Sequence, residues 1–261
     1  MKRPRGGWAV VAEQECRDLW VGGRGPVLMF GYGVLLSAIS YLAATNRGLN
    51  FLEQREAVNL VLQVALTVGV LVTLLISADA ISGERERGTL ESLLLTPVDR
   101  RAIVTGKLTG ALSLWLGCVV VSLPYLWVIG RSVAAVRPAV LMIVAVGTLV
   151  AAALAGLGLL ISALSGSNRT SLAVSLLVLL ALFAPTQLPG MAKSWIGDLL
   201  IRVNPLGSAM HYVSLVLLSR HHWTDDLGYL LSPVVAGCLV IAVLVAAGNR
   251  MVRLTGGVSG G

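Results

Sequence analysis

Residues 57–78 read AVNLVLQVALTVGVLVTLLISA, a block of apolar and small polar residues that contains no charge. A helix rises about 1.5 Å per residue, so a block of about 20 residues crosses the roughly 30 Å hydrocarbon core of a bilayer. Similar blocks occur at about residues 27–45, 108–130, 139–164, 171–185 and 227–248. The pattern predicts an all-α integral membrane protein with six transmembrane helices.

The composition supports a membrane protein. Of the 261 residues, 56% are hydrophobic and 13% are charged, and the mean hydropathy is +0.83. A soluble domain of this length has about a quarter of its residues charged, because it needs a solvated surface. The net charge of +7 lies in short segments between apolar blocks and forms no single stripe, which argues against a nucleic-acid partner.

The distribution of basic residues predicts the orientation. With the N-terminus inside, thirteen of the 20 Lys and Arg residues fall in inner segments, and basic residues resist transfer across a membrane. We therefore expect cytoplasmic N- and C-termini, with the protein in the cell inner (plasma) membrane. The predicted divisions are a cytoplasmic N-terminus with an interfacial helix (1–25), the transmembrane domain (26–248) with its polar loop (82–107) and outer segment (186–226), and a cytoplasmic tail (249–261).

Two shorter segments are predicted to lie at membrane surfaces. Residues 8–20 form an amphipathic helix whose apolar face carries Trp8, Leu19 and Trp20 and is interrupted by Glu15. Such a helix lies in the inner interface or docks on the protein's own cytoplasmic surface. In the outer segment, the apolar run 210–218 is too short to cross a bilayer. It predicts a re-entrant or surface-lying helix packed against protein, with a seventh crossing as the alternative.

The loop after the second apolar block is the most polar stretch of the chain. Residues 82–102 read SGERERGTLESLLLTPVDRRA. Thr89 is a candidate N-cap, the leucines after it form an apolar face beside Glu91, and Pro97 ends the helix. The pattern predicts a short amphipathic helix with a charged entry segment, which can insert into a groove of a soluble partner. The alternative is a loop that these charges merely solvate.

This loop resembles that of the ABC-2 type permeases, which reads much like Glu-Arg-Glu-x-Gly-Thr-Leu-Glu-x-Leu-Leu-x-Thr-Pro. The six-helix plan, the interfacial helix and Asn204-Pro205-Leu206 before a short helix also resemble that family. The resemblance implies a coupling helix that contacts a separate ATPase subunit. The residues that it assigns to this contact are Glu84, Arg85, Glu86, Arg87, Gly88, Thr89, Leu90, Glu91, Leu94, Thr96 and Pro97.

The resemblance further implies the transmembrane permease subunit of an ATP-driven exporter, paired with a second permease copy or a close relative and with two ABC ATPase subunits. It places ATP and Mg²⁺ on the partner ATPase and no cofactor on this chain. The sequence is consistent with an ATP site on the partner alone. Gly106-Lys107-Leu108 resembles the end of a phosphate-binding loop, but Arg101 stands where that motif requires Gly, and Leu108 stands where it requires Ser or Thr. We therefore expect this chain not to be an enzyme by itself.

Other functions stay open at this point. A passive channel or an ion-coupled secondary transporter is the alternative, and carboxylates in the middle of an apolar block would favour it, but the sequence has none. His221 and His222 beside Asp225 and Asp226 could bind a metal. Adjacent histidines do not share a helix face, however, so no metal site is predicted.

Polar residues follow one side of the second apolar block. They fall within an arc of about 120° at the helical repeat, and polar side chains in lipid are costly, so this stripe faces protein or a cavity. We interpret it as a possible lining of the substrate pathway, with interhelical hydrogen bonding as the alternative. The members of the stripe are Asn59, Gln63, Thr67, Thr73 and Ser77.

Overall fold

The computed structural model describes residues 7–45, 51–89, 99–187, 195–218, 224 and 226–251, and every regular element in these ranges is helical. The α-helices are α1 (Gly7–Val21), α2 (Arg24–Thr45), α3 (Phe51–Glu86), α4 (Arg100–Gly130), α5 (Val136–Met142), α6 (Thr148–Leu164), α7 (Asn168–Gln187), α8 (Trp195–Val203), α9 (Pro205–Leu218) and α10 (Leu231–Met251). A π-helical turn, Ile143–Gly147, joins α5 to α6, and short 3₁₀ turns follow α4 and precede α10, at Arg131–Val133 and Leu227–Leu230.

Six helical stretches in the described ranges are long and apolar enough to cross a membrane, which confirms the predicted six-helix plan. They are α2, α3, α4, the joined α5 and α6, α7, and α10 with its preceding turn. Helices α3 and α4 both extend into the predicted polar loop 82–107, because α3 continues to Glu86 and α4 begins at Arg100. Side-chain contacts bring the starts of α2, α4 and α7 together with the ends of α3 and α6. We call this side of the bundle the α3–α4 end.

Helix α3 is the central element of the bundle and packs against α2, α4, α6 and α7. Trp115 of α4 fills the space between α3 and α6, where it is fully buried. Its ring lies against Gly69 of α3 and Gly147 of the π turn, and its Nε1 donates a hydrogen bond to Thr148 Oγ1 at 3.0 Å. The largest side chain of the core is therefore accommodated by glycines on both neighbouring elements.

Small residues let the fourth crossing approach its neighbours closely. Gly147, Ala151 and Ala155 recur every four residues, a spacing that predicts close helix packing in membranes. Ala151 and Ala155 are fully buried, and a Cβ atom added to Gly158 would lie 2.8 Å from the main-chain oxygen of Leu74 on α3. The structure confirms the packing role of these residues.

Replacing Gly147 with leucine is expected to destabilise the bundle, because even a Cβ atom there would lie 2.6 Å from Cζ2 of Trp115. Overpacking of this kind lowers the free energy of unfolding by about 1–3 kcal/mol. Gly31→Leu is the matched control, since a Cβ atom at Gly31 on α2 meets nothing within 4 Å. Thermal melting of the purified protein in detergent should show a lower Tm for Gly147→Leu only. Equal melting of the two variants would contradict the close packing.

Helix α1 lies along the first half of α4. Val11 is buried against Gly106, and Trp20 Nε1 donates a hydrogen bond to Ser113 Oγ at 3.1 Å. Trp8, which the sequence assigns to the apolar face, is 53% exposed. The helix therefore docks on the protein itself, as one of its two predicted placements requires, and its position in the membrane interface stays a prediction.

The outer segment contains a short capped helix. Asn204 Oδ1 accepts hydrogen bonds from the N–H groups of Leu206 and Gly207 at 3.0 Å each, and Pro205 is the first residue of α9. The 14 residues of α9 are too few to cross a bilayer, and most of its side chains are buried in the protein. These features fit the predicted helix packed against protein and disfavour a seventh crossing. Re-entry into the membrane stays a prediction.

Candidate functional site

The polar end of α3 is built as a defined helix stop. Gly88 has a φ of +71°, its N–H donates to Arg85 O at 3.2 Å, and the Thr89 N–H donates to Glu84 O at 3.0 Å. This is the Schellman pattern, in which a left-handed glycine turns the chain away from the end of a helix. The Gly-Thr pair of the loop motif therefore ends α3. The helix that Thr89 is predicted to cap lies outside the described residues.

A buried ammonium group joins three helices at the α3–α4 end. The side chain of Lys107 on α4 is 1% exposed, and its Nζ lies 2.6 Å from Glu84 Oε1 on α3 and 2.7 Å from Glu15 Oε1 on α1. A buried charge is tolerated when close opposite charges offset its loss of hydration. Glu15 interrupts the apolar face of α1 because it faces Lys107.

A second charged centre lies nearby on α3. Asp79 Oδ2 lies 3.1 Å from Arg24 Nη1 on α2 and 3.7 Å from Arg87 Nη2 beyond the end of α3. Asp79 Oδ1 accepts a hydrogen bond from Asn168 Nδ2 on α7 at 2.7 Å. Both arginine side chains are exposed, so each pair contributes only about 0–1 kcal/mol to stability. The main effect of Asp79 is to connect the starts of α2 and α7 with the end of α3.

Helices α1, α3 and α4 border a cavity of about 810 Å³ next to these charges. Charged side chains of both signs, among them Glu84 and Arg24, line part of its wall, and apolar side chains such as Leu19 and Ile76 line the rest. Thr89 also belongs to the lining, so the cavity reaches the point where the chain enters the loop motif. Such a mixed wall suits the docking of an amphipathic segment.

The described part of the predicted contact segment divides into an inner and an outer group. Glu84 and Arg85 are half-buried, and the four residues that follow them are exposed. Arg85 Nη1 and Nη2 donate to the main-chain oxygens of Ser165 and Ala163 at 2.5 and 3.3 Å. The inner group thus fixes the segment to the bundle. The predicted contact residues that lie outside the described residues are Leu90, Glu91, Leu94, Thr96 and Pro97.

Glu15, Lys107 and Asn168 belong to this site but were not predicted from the sequence as members of it. A signal was present for the first two, because Glu15 interrupts an apolar helix face and Lys107 directly precedes an apolar block. A charge in such a position needs an opposite charge when it is buried. The partner could not be identified from the sequence, since Lys107 and Glu15 are 92 positions apart. Asn168 begins a match to the glycosylation acceptor pattern, Asn168-Arg169-Thr170, but that pattern gives no indication of a contact with Asp79.

The polar stripe of α3 makes its hydrogen bonds within the chain. Gln63 Nε2 and Asn59 Nδ2 donate to Ser214 Oγ on α9 at 2.8 and 3.3 Å. The other members donate to the main-chain oxygen four residues earlier: Thr67, Thr73 and Ser77. Thr73 and Ser77 are fully buried, whereas Gln63 and Thr67 are half-buried. The contacts of Asn59 and Gln63 are those of the interhelical alternative, whereas the other three bonds lie within α3. A pathway lining stays a prediction.

The opposite end of the bundle holds a histidine in an aromatic contact. His211 packs against Tyr229 with ring centroids 4.8 Å apart, and Arg202 lies over the same ring at 4.7 Å. Burial lowers the pKa of His211, which favours its neutral form. Within the described ranges, no group of three or more His, Cys, Asp or Glu residues could hold a metal ion. The residues considered as metal ligands lie outside these ranges, except for Asp226: His221, His222 and Asp225.

Comparison with known families decides the class of protein that forms this bundle. The family described as ABC-2 family transporter protein matches residues 29–254, from within α2 to past the end of α10. The chain belongs to the ABC-2 transporter family. As a member of that family it is a multi-pass membrane permease subunit of an ABC transporter, and the family implies an ABC ATPase as its partner. A search of the curated proteins finds no match.

The match to the ABC-2 family does not include the whole α3–α4 end. It begins after α1, so it covers Glu84 and Lys107 but not Glu15. The contact between α1 and the rest of this site is therefore a feature of the tertiary structure that the family match does not describe.

Proposed function

We propose that this ABC-2 permease subunit belongs to an exporter driven by a separate ATPase subunit, which binds the segment from Glu84 to Pro97. The proposal rests on the contacts that fix the end of α3, where this segment begins. Its end is stopped by the left-handed Gly88 and held at Glu84 by the buried Lys107. A motif on a braced helix end passes a displacement into the bundle, whereas a loose loop would absorb it.

In the proposed mechanism, ATP and Mg²⁺ act on the partner ATPase, and the permease converts the movement of that partner into helix displacement. Closure of the ATPase subunits pushes on the loop from Glu84 to Thr96. Because Lys107 connects α3, α4 and α1, these helices tilt together and open an outward path. Small displacements are transmitted in this way because packed helices change between discrete arrangements instead of deforming continuously.

The proposed complex contains two ATPase subunits and a second permease, either a copy of this chain or a close relative. We place the α3–α4 end and both termini in the cytoplasm, with the complex in the inner (plasma) membrane. Support comes from Arg24, Arg85 and Lys107, which lie at the α3–α4 end, because basic residues favour the inner side. The half-buried Gln63 and Thr67 are proposed to line the substrate pathway.

Co-purification with an ATPase tests the proposal. The full chain is expressed with the soluble ABC ATPase subunit encoded or expressed alongside it, and the complex is isolated in detergent and reconstituted in liposomes. We expect the ATPase to be retained and its activity to respond to candidate substrates, with ATP-dependent substrate movement across the vesicle membrane. The sidedness of that movement relative to the bound ATPase tests the export direction.

The matched control is the permease reconstituted without its ATPase. A passive channel or ion-coupled transporter would move substrate under this condition. Full-rate transport by the chain alone, or an ATPase that neither binds nor responds, would overturn the proposed function.

A further inference from the structure

A serine from α6 reaches the backbone of α3 just before its polar end. Ser162 is fully buried, and its Oγ accepts hydrogen bonds from the N–H groups of Ile81 and Ser82 at 3.0 and 2.9 Å. Both N–H groups belong to the interior of α3, where the usual acceptor is the carbonyl one turn earlier. A side chain inserted into this ladder is one of the recognised causes of helix bending. The α3 backbone is therefore hydrogen-bonded to a side chain of α6 at this turn.

The start of α7 adds contacts to the same turn of α3. The carbonyl of Ala78 accepts hydrogen bonds from Ser82 Oγ at 2.8 Å and from Ser171 Oγ at 2.7 Å. Asn168 Oδ1 lies 3.1 Å from Ser82 Oγ and is the alternative acceptor for its single proton, and Asn168 Nδ2 donates to Asp79 Oδ1 at 2.7 Å. Ser82 and Ser171 are buried, so these bonds form away from water, where they are hard to replace.

Arg85 extends the connection to the end of α6. Its guanidinium donates to the carbonyls of Ser165 and Ala163, which lie at the C-terminus of that helix, where a cation is favoured. Ile81 and Ala163 also belong to one small apolar cluster. The last two turns of α3 are thus bonded to the residues between Ser162 and Ser171, which we call the α6–α7 turn.

We propose that the α6–α7 turn is a second transmission point of the permease, which moves together with the end of α3 and carries its displacement into α6 and α7. Ser162 and Asn168 are the positioning residues of this connection. The inference rests on the proposed coupling function and extends it to two helices outside the loop that binds the ATPase. Its physical basis is the set of hydrogen bonds that connect residues 78–82 of α3 to α6 and α7. At the same turn, the Ser162 side chain accepts hydrogen bonds from backbone N–H groups of α3.

Spin-label distances test this proposal without requiring a known substrate. In the full complex with its ATPase, and with the three native cysteines replaced, cysteine pairs are introduced at the exposed positions Glu86, Thr170 and Ser132. Glu86 reports the end of α3, Thr170 the start of α7, and Ser132 the opposite end of the bundle. Complexes labelled at Thr170 and Ser132, which lie outside the proposed ATPase-binding segment, must retain their ATPase activity. On addition of ATP, Mg²⁺ and vanadate, the distances from Ser132 should shift for both other labels, while the Glu86–Thr170 distance stays constant.

The variants separate a transmission role from a merely structural one. Ser162→Ala combined with Asn168→Ala should abolish the shift of Thr170 while Glu86 still moves. Ser175→Ala is the matched control, because Ser175 on α7 is equally buried and its Oγ has no hydrogen-bond partner among the residues that the structure describes. This control should keep the full shift. Ser162→Ala alone, which removes one hydroxyl group, is used if the double variant does not assemble.

Each outcome decides a different point. A Thr170 shift in the double variant equal to that of wild type would overturn the role of Ser162 and Asn168. A Thr170 label that stays in place in wild type while Glu86 moves would overturn the second transmission point and leave the proposed function standing. Absence of any nucleotide-dependent shift at Glu86 would overturn both.

Discussion

Replacing Lys107 with methionine is expected to lower the free energy of unfolding by about 3 kcal/mol, because breaking a buried ion pair leaves charge without a partner. Two carboxylates, Glu84 and Glu15, converge on the Lys107 ammonium at 2.6 and 2.7 Å, and neither helix can move away without losing its packing on α4. Thermal melting in detergent measures the effect. A fall in Tm of roughly 10 °C is expected for a chain of this size.

Two controls show that the effect comes from the buried charge. Arg202→Met breaks the exposed Arg202–Asp198 pair, whose side chains are 54% and 45% exposed, and should change stability by only about 0–1 kcal/mol. Combining Lys107→Met with Glu15→Gln and Glu84→Gln removes the uncompensated charges and should recover most of the loss. A Lys107→Met protein that melts like the Arg202→Met control would show that the ion pairs do not hold α1 and α3 to α4.

Replacing Gly88 with valine is expected to uncouple ATP hydrolysis from transport while the protein still inserts and folds. At the observed φ of +71°, a side chain on an L-residue raises the conformational free energy of the backbone by about 1–2 kcal/mol, and by more when the residue is β-branched. The helix stop would shift to a different backbone conformation, and the loop that follows it would leave α3 in another direction. We expect about a tenfold lower ratio of substrate moved to ATP hydrolysed. The reconstituted complex described above provides both measurements.

Gly228→Val is the matched control for this substitution. Gly228 lies at the opposite end of the bundle in open space, and it does not have a positive φ. A charge reversal at Glu91, which lies outside the described residues, should uncouple transport in the same way if the segment contacts the ATPase. Unchanged coupling in both Gly88→Val and the Glu91 variant would count against the proposed function.

The six-helix plan could be predicted from the sequence because crossing a bilayer imposes a length and a polarity on each helix. The block at 57–78 illustrates this requirement, and a helix does occupy it in the structure. The helix ends could not be placed by the same criterion. Helix α3 runs on to Glu86 because backbone hydrogen bonds continue past the apolar block, and Glu and Arg are good helix formers.

The loop motif, from Glu84 to Pro97, was also identified from the sequence, because contiguous residues carry it. The function of Gly88 within the motif needed the backbone angle, since glycine is compatible with many conformations. The polar stripe on α3 shows the same limit. Its periodicity indicated one polar face, but only the position of α9 revealed that Asn59 and Gln63 both donate hydrogen bonds to Ser214.

By itself, the sequence determined that this chain has six helices able to cross a membrane and indicated a loop that resembles that of the ABC-2 permeases, since both properties depend on residues that are neighbours along the chain. Only the tertiary structure decided which distant side chains hold that loop in place. Lys107 meets Glu15 across 92 positions, and Ser162 meets Ile81 across 81. Such contacts depend on how helices pack side by side, and packing is set by the shapes of several helices at once, which no local pattern in the chain encodes.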